Sequence, residues 1–317
     1  MDLYSAAAGL PWRLPVGARP IRYRELRNRG WTDQAIRWRA NQHARLTRVH
    51  QGIYLPGPGH PELVSRARAA LLAASPLAVL GFHTAAQLHG FGTAPTESVH
   101  VLVPAGTPFP QRPGVTAHQA VLPLGQPVHI MGLPCAPAAR CAIDLARTLT
   151  RRDALPVLDA ALYAGAVSRD DLLLEVSRHG GLRGVRQARN LVGMADGRSE
   201  CRQETQLRLI LHDAGITGFV PQLPVRGDSG RLLFRLDLGD PVHLIAVEYD
   251  GSSHLTSQRL RHDRARHNWL QQHGWLVCYF TAPDLYQNPF SIVATVASAR
   301  RSRAHRSRKR SSRSKNP

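Results

Sequence analysis

The segment 231–254 restricts the fold more than any other stretch of the chain. Two apolar runs, 232–238 and 243–249, flank Gly239-Asp240-Pro241, and turn residues between strand-like runs predict a β-hairpin. Each run also carries acids where a core strand should carry none. Side chains alternate across a strand, so Asp237 shares a face with Leu233 and Arg235, while Glu248 shares one with Leu244, Ala246 and Asp250. Glu248 and Asp250 would then stand roughly 7 Å apart. A hairpin that brings Asp237 alongside gathers three carboxylates at one end of a sheet, which is costly unless one is protonated or a cation sits among them. A hard divalent ion with oxygen ligands is the usual resolution. The plainer alternative is that the acids end their strands and face water.

Charge elsewhere is placed unevenly. Of a net +19, residues 300–317 hold nine Arg or Lys and no acid, and residues 1–55 hold ten Arg against three acids, so only +3 remains for the middle. Two basic ends suit a polyanion, most simply nucleic acid. A membrane surface is the competing polyanion, but no amphipathic anchor accompanies the tail. The two lysines, Lys309 and Lys315, lie in that tail, so the body offers none for catalysis. Four cysteines without paired spacing point to a reducing, cytoplasmic setting. No leader peptide or long apolar span is expected. A chain of 317 residues has room for two or three domains.

At the front, 21–26 is expected as a short helix ending near Gly30, and Thr32 as the cap of a second helix through Asn41. Residues 46–55 then alternate as a small β wing turning at Gly52. This reads as a winged helix-turn-helix over 15–57, with Gln34, Arg37 and Arg39 towards the major groove and Arg45 and Arg48 on phosphates. Its plainer reading is a small helical cap with solvated arginines. The string Leu46-Thr47-Arg48-Val49-His50-Gln51-Gly52-Ile53-Tyr54, with His83-Thr84-Ala85-Ala86-Gln87-Leu88-His89-Gly90 after an alanine-rich helix, resembles the N-terminal part of AbiEi-type antitoxins, over about the first 100 residues. The resemblance implies a DNA-binding, autorepressing protein with a cognate toxin as partner.

Residues 58–195 are expected to form a mainly helical connector, with helices over 61–74, 82–89, 140–149, 155–164 and 169–178 and strand candidates at 99–103 and 128–130. His83, His89, His100, His118 and His129 show no regular metal-ligand spacing and are assigned no chemistry.

Ser199 is expected to cap a helix to about Ala214, with Glu204 pointing towards a site. The hairpin, a basic helix over 258–273, a strand over 275–280 and a last helix follow. Glu204, Arg235-Leu236-Asp237, Val247-Glu248-Tyr249-Asp250-Gly251, His254, His262-Asp263-Arg264-Ala265-Arg266 and Gly274-Trp275-Leu276-Val277 together resemble the PD-(D/E)XK nucleases. More closely, they are similar to a bacterial family of unknown function related to very-short-patch repair endonuclease. The resemblance implies a restriction-endonuclease-like domain over 196–299 that hydrolyses DNA with Mg²⁺ (or Mn²⁺). Asp237 and Glu248 would hold the ion, Glu204 a metal-bound water, and His254 would serve the leaving group. Arg259, Arg261, Arg264 and Arg266 would hold the DNA backbone. The lysine usual two residues after the second acid is Asp250 here, which leaves two outcomes: His254 substitutes, or the fold persists as a binding platform without turnover.

The expected architecture is thus a multidomain α+β protein: winged helix-turn-helix, mainly helical middle, C-terminal α/β restriction-endonuclease-like domain, and a disordered basic tail over 300–317. Oligomeric state is left open.

Overall fold

The computed structural model describes residues 19–41, 46–57, 61–92, 97–108, 112–251 and 257–313, with only the backbone of 257–263 and 306–313. Among them are twelve helices and three sheets, a mixed α+β architecture, divided into two compact units, 1–145 and 146–317.

The first unit opens with β1 (Ile21–Arg22), α1 (Tyr23–Asn28), α2 (Asp33–Asn41), β2 (Leu46–His50) and β3 (Ile53–Pro56). Gly30, at φ 85°, makes the turn between the helices, a conformation that costs glycine little. Thr32 caps α2, its Oγ1 accepting from the Ala35 amide at 3.1 Å. The strands pair antiparallel in the order β1-β3-β2. Ile21, Leu26, Ile36, Leu46 and Tyr54 fill the space between sheet and helices.

Then follow α3 (Leu63–Ala73), β4 (Val79–Leu80), α4 (Phe82–Leu88), β5 (Val99–Pro104), β6 (Val115–Ala120), β7 (Val128–Ile130), β8 (Leu133–Cys135) and α5 (Ala138–Thr148). The five strands form one sheet, ordered β6-β5-β4-β8-β7, with β5/β6 and β4/β8 parallel. The segment expected as a mainly helical connector therefore carries a sheet in its first half. Two of its strands, β5 and β7, fall on the candidates at 99–103 and 128–130, whereas β4 and β8, of two and three residues among proline and glycine, are too short to show a period.

The second unit begins with α6 (Arg151–Tyr163), α7 (Arg169–Arg178) and α8 (Val185–Met194). Pro156, inside α6, has no amide hydrogen for the Arg152 carbonyl one turn back; the Gln206 side-chain amide donates to that carbonyl instead, at 3.2 Å. Next come α9 (Arg202–Asp213), β9 (Val220–Arg226), β10 (Leu232–Asp240), β11 (Ile245–Tyr249), α10 (Ser257–Gln272), β12 (Leu276–Phe280), α11 (Ala282–Gln287) and α12 (Pro289–Arg313). The sheet order is β12-β11-β10-β9, antiparallel except that β12 runs parallel to β11. One core gathers Leu207 and Leu211 of α9, Leu238, Ile245 and Val247 of the hairpin, Phe280 and, from α12, Ile292 and Val296. A second joins Leu236 and Ala246 to Leu270 of α10. Burial in two cores, one on each face, explains why Ile245, Ala246 and Val247 are apolar in succession rather than alternating.

Three further expectations are corrected. The hairpin turn lies at 241–244, because β10 continues through Gly239 and Asp240. Ser199 does not cap α9; Cys201 holds the N-cap position and the buried Ser199 hydroxyl has no partner among the described residues. The segment expected to be disordered from residue 300 is helical to Arg313. It continues a helix already anchored by Ile292, Val296 and Ala299, and Arg and Ala are good helix formers.

Candidate functional site

The antiparallel register pairs Leu238 with Val247 and Gly239 with Ala246, which sets Asp237 opposite Glu248 across the two strands. The Tyr249 amide donates to Asp237 Oδ2 at 2.9 Å. From α9, the buried Glu204 accepts from the Glu200 amide at 3.0 Å and from the Gln222 side-chain amide at 2.9 Å. Gln222 holds the unusual φ of 48° to do so. The electrostatics register the crowding. Burial raises the Glu204 and Asp237 carboxyls above the ordinary range, and Asp237 adds to the rise at Glu204. Burial, reinforced by the Asp237 charge, pushes Glu248 up to about 7.

Arg266 of α10 reaches into this cluster. Its Nη2 donates to Glu248 Oε1 at 2.8 Å and Oε2 at 2.9 Å, and to the Arg235 carbonyl at 2.9 Å. Arg235 itself pairs with Glu200 at 3.0 Å. Each of the three acids thus already has a protein donor: amides for Glu204 and Asp237, a guanidinium for Glu248.

Hard oxygen donors suit the divalent ion that the resemblance implies, but their arrangement does not. Among the described residues no group of three His, Cys, Asp or Glu is disposed to hold a metal ion, and a guanidinium stands against the most strongly shifted acid. The trio expected from the hairpin was Asp237, Glu248 and Asp250; the structure instead sets Glu204 of α9 beside Asp237 and Glu248, leaves Asp250 exposed, and places a guanidinium that the sequence did not mark against Glu248. Arg266 was expected on phosphate with Arg259, Arg261 and Arg264; the structure turns it onto Glu248 instead. Of the others, Arg264 is exposed, and the side chains of Arg259 and Arg261 lie outside the described residues. Asp250 lies exposed just past β11, its amide bonded to the Phe280 carbonyl at 2.8 Å. His254 lies outside the described residues.

At the front of the chain, Gln34 and Arg37 are exposed along α2 and Arg48 is exposed on β2. Arg39 is less free, with its guanidinium 4.5 Å from the centre of the Trp31 ring. Arg45 lies outside the described residues. Two buried groups escaped the sequence reading. Asp240, placed at a turn, is buried and bound by Arg300 and His243. His100 and His118, assigned no chemistry, share a hydrogen bond of 2.9 Å. The sequence did not mark either, since Arg300 lies 60 residues from Asp240 and His118 sits on another strand from His100.

These features define a basic, mixed α+β protein with a protein-satisfied acid cluster. No helix among the described residues is long and apolar enough to cross a membrane. Residues 77–194 match the AbiEi antitoxin C-terminal domain. That span contains the His83-to-Gly90 motif but not the 46–54 motif, so the AbiEi likeness lies further along the chain than expected. Over 253 residues the chain is 32% identical to the uncharacterized protein Rv2248 of Mycobacterium tuberculosis strain H37Rv, covering 80% of this chain and 91% of that protein. The uncharacterized protein MT2308 of strain CDC 1551 / Oshkosh is similar to the same extent, 32% over 253 residues. The chain belongs to the family of these two mycobacterial proteins. The crystal structure of the RV2827C protein from Mycobacterium tuberculosis aligns at a TM-score of 0.43 and 15% identity, covering 59% of this chain and 75% of that one.

Proposed function

We propose that this protein is a DNA-binding, antitoxin-type regulator whose C-terminal acid cluster does not turn over. The observation that carries the reading is the AbiEi antitoxin match over 77–194. A cognate toxin is the partner such a domain calls for. The element order β1-α1-α2-β2-β3, with a capped α2 and a hairpin after it, supports a winged helix over 15–57. Gln34 and Arg37 would then read base edges and Arg48 would contact phosphate. The basic helices α10 and α12 add sequence-independent affinity.

The test is binding of the purified protein to a duplex from the region upstream of its own gene, compared with a scrambled duplex, over a range of salt. Preference for its own sequence, with log affinity falling steeply with log salt, supports the reading. Equal binding to both duplexes removes the regulator role.

A second reading, a metal-dependent DNA endonuclease over 196–299, is favoured by one observation: Glu204, Asp237 and Glu248 adjoin in an αβββαβ element order. It requires Mg²⁺ or Mn²⁺ to replace Arg266 at Glu248.

A further inference from the structure

We propose that Arg266 is the resident cation of the acid cluster, and that its ion pair with Glu248 holds β10 and β11 to α10 where a divalent ion would otherwise be needed. The proposal extends to the chemistry of the site and stands whether or not the front of the chain binds DNA.

Three observations support it. First, a single nitrogen, Nη2, lies within hydrogen-bond distance of both Glu248 oxygens and of the Arg235 carbonyl, so one positive group bridges β11, β10 and α10. Second, the pair is largely shielded: the Glu248 side chain is 6% exposed and that of Arg266 27%. A charge pair taken out of water persists only when geometry and further hydrogen bonds compensate the lost hydration, and the Arg235 carbonyl supplies such a bond. Third, the other two acids rely on neutral donors, Glu204 on the Glu200 and Gln222 amides and Asp237 on the Tyr249 amide. Among the described residues, Arg266 is therefore the positive charge that offsets the cluster. No lysine precedes Lys309, so the body has no ammonium to take this role.

A divalent ion at Glu248 would compete with the guanidinium for both carboxylate oxygens and be repelled by its charge. The wild-type protein should accordingly be indifferent to metal, and removing Arg266 should create metal dependence. The experiment is thermal denaturation of the full chain, as wild type, Arg266→Ala and Arg266→Ala/Glu248→Gln, in EDTA and with Mn²⁺ added as the probe. Wild type is expected to keep one Tm in both buffers. Arg266→Ala should melt lower in EDTA and recover by about 5–10 °C in excess Mn²⁺, the shift of a ligand near 100 times its Kd. The double variant should melt above Arg266→Ala in EDTA and lose the Mn²⁺ response. A Mn²⁺-dependent rise in wild type that Asp237→Ala abolishes would overturn the proposal, as would an Arg266→Ala protein that gains nothing from Mn²⁺. Should Arg266→Ala not fold, a folded double variant still supports the account, because it removes the unpaired acid. Two unfolded variants refute it.

Discussion

Arg300 sets its Nη2 2.7 Å and its Nε 3.0 Å from the same oxygen of Asp240, joining the middle of α12 to the end of β10. The other Asp240 oxygen accepts the Val242 and His243 amides, each at 3.1 Å, so one buried carboxylate closes the hairpin turn and anchors the basic helix. Arg300 also donates to the Thr217 carbonyl.

Breaking this pair should destabilise the protein. Asp240→Ala leaves a partly shielded guanidinium and two amides without their acceptor, and should cost about 2–4 kcal/mol in urea denaturation. Burial alone would raise the Asp240 carboxyl, but the His243 and Arg300 hydrogen bonds outweigh it and leave it below the ordinary range. An acid lowered in the folded state stabilises above its unfolded value, near 3.9, and loses that contribution as pH falls below it. The stability gap between wild type and Asp240→Ala should therefore narrow below about pH 4.

His100 should act at higher pH, with the same sign. Its Nδ1 lies 2.9 Å from His118 Nε2, and the His118 ring stacks on Phe82 at 3.8 Å between centroids. Burial, with His118 and His83 beside it, pushes His100 down to about 4. Burial also lowers His118 and His83. A base lowered in the folded state contributes stability above its unfolded value, about 6.5, that is lost as pH falls from there towards 4. Comparing urea midpoints at pH 7.5 and 5, His100→Gln should show a smaller drop than wild type; an equal drop would place the acid sensitivity elsewhere.

Gly184 tests the packing of the second unit. It sits at φ 79°, and a Cβ there would come within 2.0 Å of the Arg147 carbonyl oxygen. Gly184→Ala should cost about 2 kcal/mol or more, since both backbone strain and a clash with main chain oppose it. A melting temperature equal to wild type would show that the α7–α8 turn relaxes without penalty.

On DNA, Arg37→Ala should weaken binding to the preferred duplex by about 5- to 150-fold, corresponding to ~1–3 kcal/mol for a base-reading contact. Arg39→Ala should do less, because Trp31 already holds that guanidinium. Titration by fluorescence anisotropy separates the two; equal losses would mean that both arginines meet only phosphate.

How much the sequence disclosed depended on whether a signal was local. Helix α7 was legible at both ends, its start marked by Ser168 and Asp171, which form a capping box, and its end by Gly180-Gly181. Strands β10 and β11 were legible from apolar runs around a turn. Strand β9 was not: Pro221 and Pro224 interrupt its pattern, and it survives as a strand because it lies at the sheet edge, where missing donors are tolerated. Asp237 and Glu248 could be read because alternation and hairpin pairing are short-range rules; the same rules added Asp250, which lies exposed past β11, while Glu204 was singled out by its place one turn into a helix. Arg266 could not, since nothing in a helix with several arginines marks the one that turns inward. The partner of Asp240 was equally hidden, 60 residues away.

The most direct test of the regulator reading is one gel: wild type and Asp237→Ala on duplex and supercoiled DNA carrying the upstream region, in Mg²⁺, Mn²⁺ or EDTA. The account predicts retarded, uncut DNA in every lane, with the two proteins alike. Metal-dependent nicking by wild type that Asp237→Ala abolishes would contradict it and make the acid cluster a working nuclease site.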